Sequence, residues 1–137
     1  MSKVIKSDTV TINRPAADIF SYITDFKNFG RMMPEQVENF KAETDACSFE
    51  IKGMASLGLR ITEKHPFTMV VMKAEGKLPF GFTFTCHTDA VSDNSTEVFL
   101  VIDADMNPFM SMMAATPLQN FVNLLAGKLK EIMESAA

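Results

Sequence analysis

The sequence predicts an α+β domain in which a curved antiparallel sheet wraps a long C-terminal helix. Three observations carry this expectation. Between Glu35 and Asp105, six stretches alternate apolar and polar residues, and short turn signals separate them. From Leu118 to Met133, apolar residues recur on one helical stripe. One strand and two short helices come before the alternating region. Sheet and helix each own a single apolar face, and each must bury it against the other.

Val4–Ile12 is rich in β-branched residues and reads as the first strand. Arg14-Pro15 breaks it. Pro15 suits the first position of a helix, where its missing N–H is no loss. Residues 15–25 then place Ile19, Phe20 and Ile23 at helical spacing, and residues 26–32 form a second short helix that stops near Pro34. The six later strands are expected at 36–43, 46–53, 56–64, 68–75, 79–90 and 96–105. Glu43-Thr44-Asp45, Gly53, His65-Pro66, Gly76-Lys77 and Ser92-Asp93-Asn94-Ser95 separate them. The clearest alternation sets Phe80, Phe82, Phe84 and Cys86 against Gly81, Thr83, Thr85 and His87. Such close spacing favours antiparallel hairpins, in a seven-stranded sheet with one buried face.

At the C-terminal end, Thr116-Pro117-Leu118-Gln119 has the form of a capping box, with Thr as N-cap and Pro at the first helical position. Leu118, Phe121, Val122, Leu125, Leu129, Ile132 and Met133 follow within an arc of roughly 120° on a helical wheel. The Met-rich segment Met106–Met113 suits either a separate short helix or a kinked extension of the last one.

A chain of 137 residues fits one domain spanning 1–137, and its 47% hydrophobic content is enough for a core without disulfides or metals. The net charge is −4, with the basic residues scattered among acidic ones. That argues against nucleic acid and anionic membranes as partners. No apolar run is long enough to span a bilayer, and Met1–Asp8 is polar, without a signal core. Cys47 and Cys86 follow no metal-ligand spacing and read as free thiols of a reducing compartment, so a cytoplasmic protein is expected. No motif asks for a cofactor or a metal. Twelve Phe and eleven Met stand beside a single Tyr and no Trp, which gives an adaptable interior with few polar handles.

The order of strand, two short helices, six strands and long helix resembles the START-like or helix-grip superfamily, which includes the polyketide cyclase and lipid-transport proteins. Three stretches carry the resemblance. One is Arg14-Pro15-Ala16-Ala17-Asp18-Ile19-Phe20 with Ile23-Thr24-Asp25-Phe26. The others are Met33-Pro34 and the terminal amphipathic helix. The resemblance implies a cavity between sheet and helix for a small hydrophobic ligand: a lipid, a sterol or a polyketide-like molecule. Some members of the superfamily are cyclases, aromatases or hydrolases. Others resemble activators of a heat-shock ATPase and act through protein contacts. The fold does not choose among these.

On this reading, cavity-lining residues come in alternating pairs from the strands: Phe49 and Ile51, Leu59 and Ile61, Val70 and Met72, Phe82 and Phe84, Leu100 and Ile102. Met106, Phe109, Met110 and Met113 form a pliable rim, and Phe121 and Leu125 face them from the helix. Tyr22, Arg60 and His87 are the polar side chains that a ligand or a reaction would use. Alternation sends Arg60 and His87 outward, and no Ser, Cys or Asp near His65 or His87 completes a triad. Asp103 and Asp105 share a wetted strand face. Phe99 and Val101 are the apolar residues on that face, and they point to a monomer or a weak homodimer.

Overall fold

A computed structural model describes residues 2–33, 35, 37–51, 55–76 and 80–135, excepting the side chains of residues 2, 51 and 55. The expected turn residues Pro34, Gly53 and Lys77, the start of the fifth alternating stretch at 79, and the side chain of Ile51 lie outside that set.

The elements run β1 (Ser2–Lys6), β2 (Val10–Ile12), α1 (Ala16–Ile23), a 3₁₀ helix (Phe26–Arg31), β3 (Val37–Ala42), β4 (Ala46–Ile51), β5 (Ala55–His65), β6 (Met69–Glu75), β7 (Phe82–Ser92), β8 (Ser95–Asp105) and α2 (Pro108–Ser135). One antiparallel sheet orders them β1-β8-β7-β6-β5-β4-β3, and β2 also pairs with β8. This is the sheet-and-helix architecture the sequence predicts.

Two boundaries differ. The expected first strand is two short ones on the same edge of β8. Lys6 pairs with Val101 and Val10 with Val98, so three residues face two. That extra residue makes a bulge. Ser7 anchors it: its N–H donates to the Leu100 carbonyl at 2.8 Å, and its hydroxyl accepts the Leu100 N–H at 2.9 Å.

The second difference concerns the last helix. It starts at Pro108, not at the Thr116 capping box, and continues through Pro117. Asn107 caps it, its Oδ1 accepting the Met110 N–H at 2.8 Å. Asn107-Pro108 and Thr116-Pro117 offer the same polar-then-proline signal, and the upstream one initiates the helix. Pro117 withholds only its own N–H from the Met113 carbonyl, so the helix survives it at a local cost.

Two groups of elements cover the apolar inner face of the sheet. α2 packs on β1, β2 and β8, while α1 packs on β6 and β7 and the 3₁₀ helix on β3 and β4. Val70, Met72, Phe84, Leu100 and Ile102 are thereby buried with Ile19, Phe26, Leu125 and Leu129. The buried polar side chains Ser7, Thr88 and Thr96 each hold a hydrogen bond, Thr88 to the Phe67 carbonyl and Thr96 to the Arg14 carbonyl. Among the described residues no buried side-chain nitrogen or oxygen lacks a partner, as a stable interior requires.

Candidate functional site

Sheet register separates inward from outward residues, and burial then separates filled positions from open ones. Of the expected cavity residues, Phe49, Leu59, Val70, Met72, Phe84, Leu100, Ile102, Met106 and Leu125 are buried. Ile61, Phe82, Met110 and Phe121 pack against the same core but stay half-exposed. Phe109 and Met113 face solvent, at 68% and 66% exposure. The half-exposed group is wider than the sequence indicates. Ala74 and Phe80 join it from the sheet, and Ala114 and Leu118 from α2.

These residues gather for a structural reason. β6 pairs with β7 and β7 with β8, which sets Phe82 beside Ala104 at the end of β7, while Phe80 lies 6.1 Å from Phe82 ring to ring. The Asp105 N–H donates to the Gly81 carbonyl at 2.9 Å, which ties this end of the sheet to the start of α2. Met110, Ala114, Leu118 and Phe121 follow one another at spacings of four and three, so they form one row on the helix. The sheet residues near the β8–α2 junction and the helix row thus each leave apolar surface partly covered. Extending the Leu118 stripe backwards by fours, through Pro117, would have found Ala114 in the sequence. The capping-box reading stopped that extension.

The three polar candidates lie apart. The Tyr22 hydroxyl donates to the Asn28 carbonyl at 3.2 Å, and the Asn28 side chain returns a bond to the Tyr22 carbonyl at 3.0 Å. Burial raises the Tyr22 pKa, and Arg31 partly opposes this. Arg60 is exposed and pairs with Glu75 at 3.2 Å. His87 stacks on Phe99 with ring centres 4.6 Å apart, and the Lys6 ammonium sits 4.2 Å from the Phe99 centroid. Burial lowers the His87 pKa; Asp89 opposes that and Lys6 reinforces it. Phe99 is thus the stacking partner of His87 on the outer face. Both thiols are poor nucleophiles: burial pushes Cys47 and Cys86 up to about 12. No three His, Cys, Asp or Glu among the described residues gather as a metal-binding set.

A concavity of about 1170 Å³ runs along β3, β4 and β5, with Phe49, Gly58, Arg60 and Glu75 on its border. Two of its charged groups are already engaged, Arg60 with Glu75 and Glu50 with the Asn39 amide, and Lys41 and Glu43 add further charge to its lining. It is distinct from the half-covered apolar rim. A ligand-binding site combines apolar surface with few polar groups, and the rim fits that description better.

No helix of the described structure is long and apolar enough to cross a membrane. No family model and no curated protein matches the sequence. Solved structures do match. A truncated norcoclaurine synthase from Thalictrum flavum superposes with a TM-score of 0.79 at 10% identity, over 100% of this chain and 96% of that one. A START superfamily protein from Mycobacterium smegmatis gives 0.68 at 13% identity, over 94% and 98% of the two chains. The protein XoxI from Bacillus cereus gives 0.74 at 9% identity, over 96% and 94%. Strand order, the two short helices and the gripped C-terminal helix therefore establish that this chain has the START-like helix-grip fold.

Proposed function

We propose that the chain binds a small hydrophobic ligand at the apolar rim between the sheet and the N-terminal part of α2. One observation carries this reading: Ala74, Phe80 and Phe82 on the sheet and Met110, Ala114, Leu118 and Phe121 on the helix belong to the core yet stay half-exposed. Apolar surface left open beside a closed core is available for a ligand. Met110, at the start of α2, adds a side chain that repacks around irregular shapes. Related folds supply precedent for small-molecule binding, since the Thalictrum flavum enzyme was solved with dopamine and hydroxybenzaldehyde. Binding is favoured over turnover because Tyr22, Arg60 and His87 do not converge on the rim and both thiols are held protonated.

The test is saturable uptake of a fluorescent fatty acid by the purified chain, with competition by sterols and planar aromatics. Ala114→Phe, which fills the rim, is expected to weaken uptake at least tenfold and leave the far-ultraviolet circular dichroism unchanged. Uptake of neither the fatty acid nor any competitor, or uptake indifferent to Ala114→Phe, would remove the basis of the reading.

A further inference from the structure

The outward side of the same helix carries a second apolar surface that the ligand reading does not use. Phe109, Met112, Met113 and Leu124 are 68%, 81%, 66% and 46% exposed. With Thr116 and Asn120, also exposed, they fall on one face of α2 opposite the Met110–Ala114–Leu118 row. Isolated exposed apolar residues are ordinary, but four large ones on one helical face are not.

Charge narrows the choice of occupant. Met106–Gly127 contains no Asp, Glu, Lys or Arg. The face therefore offers nothing to steer or hold a charged partner or an ionised headgroup. Its complement must be an uncharged apolar surface of similar length, and the face itself meets that requirement. Part of its spacing is palindromic. About a midpoint between Thr116 and Pro117, Phe109 mirrors Leu124 and Met113 mirrors Asn120, while Met112 mirrors Phe121 of the rim row and falls outside the crossing. A two-fold axis through that midpoint sets each residue against its mirror in a second copy.

We propose that α2 is a homodimer contact, in which two copies cross antiparallel at Thr116 and Pro117 with Phe109 of each chain against Leu124 of the other. The small Thr and Pro side chains at the midpoint let the two helices approach closely. The open parts of Phe109, Met113 and Leu124 amount to roughly 400 Å² per protomer, against about 800 Å² per partner in a standard interface. The dimer is accordingly a weak one.

Sedimentation velocity of the full chain from about 1 µM to about 500 µM tests this. The weight-average mass is expected to rise from one chain toward two across that range. Met113→Glu is expected to weaken association at least tenfold, and so is Asn120→Lys. An equimolar mixture of the two variants is expected to recover association, because the crossing sets residue 113 of one chain against residue 120 of the other. Both positions are exposed, so circular dichroism melts should match the unsubstituted chain. A monomer throughout the range overturns the proposal. So does a dimer insensitive to Met113→Glu, or a mixture no better than either variant alone. Co-sedimentation of the monomer with neutral phosphatidylcholine vesicles, lost in Met113→Glu, would also overturn it and assign the face to a bilayer.

Discussion

Along α2, residues Gln119–Ser135 and Pro108–Leu118 belong to one continuous helix but meet the sheet in different ways. The C-terminal part buries Val122, Leu125, Ala126, Leu129 and Met133. Polar bonds to the β1–β2 edge clamp it as well. Gln119 donates to the Lys6 carbonyl at 2.7 Å, the Asp8 N–H donates to Asn123 at 2.8 Å, and Arg14 donates to the Met133 carbonyl at 3.0 Å. Lys130 also reaches the Thr11 carbonyl. The N-terminal part has no buried residue, contains Pro117 and shows Phe109, Met112 and Met113 to solvent. One stretch holds the fold together, and the other is free to serve as a wall and a contact. Local stability should divide the same way, because buried contacts and not helical propensity hold a helix in place.

The largest expected effect breaks the firm half. Leu129 is fully buried, so Leu129→Ala is expected to cost about 2–5 kcal/mol in urea unfolding. Met112→Ala, at 81% exposure, should stay within about 0.5 kcal/mol of the unsubstituted chain when both are measured at a concentration that keeps the chain monomeric. Equal losses would mean that the two halves are not held differently.

A smaller effect sharpens the comparison from the loose side. Pro117 denies the Met113 carbonyl its helical donor. Pro117→Ala restores that bond, partly offset by a more flexible unfolded chain. The net gain is expected to be about 1 kcal/mol, read as a higher thermal midpoint. A loss instead would show that the proline shapes the helix so that Met110 and Leu118 reach the core.

The same contrast explains what the sequence revealed. Strand positions were legible because a pleated sheet with one wet face leaves a period of two, as in Phe82, Phe84 and Cys86 against Thr83, Thr85 and His87. The break at Ser7 was not, since a bulge keeps β-branched residues on both sides and shows only in the register with β8. Nor was the start of α2, because Asn107-Pro108 and Thr116-Pro117 are equivalent signals read locally. The rim was the least legible part. Val70, Met72, Ala74 and Phe82 share an inward-facing alternation, but only the first two are buried. What separates them is where α1 and α2 lie over the sheet, and no periodicity carries that information.

The mildest prediction concerns the charge that helps clamp the C-terminal half. The Glu134 carboxylate accepts the Asn13 N–H at 3.0 Å and the Lys130 ammonium at 2.8 Å. The Lys130 bond, then the Asn13 N–H, holds its pKa below the ordinary 4.5. A carboxyl that protonates less readily in the folded state stabilises that state above its unfolded pKa. The contribution disappears as pH falls through the lowered folded value. Glu134→Gln should therefore lower the thermal midpoint slightly at about pH 7, and the difference should shrink as pH falls through the lowered folded value. Because the site is open to water, salt should shrink the difference at neutral pH as well. A difference constant across pH and salt would mean that the substituted amide fails for want of shape or hydrogen bonding rather than charge. The hold of the β1–β2 edge on α2 would then rest on the bonds made by Gln119, Asn123 and Arg14 and on the Lys130 bond to the Thr11 carbonyl.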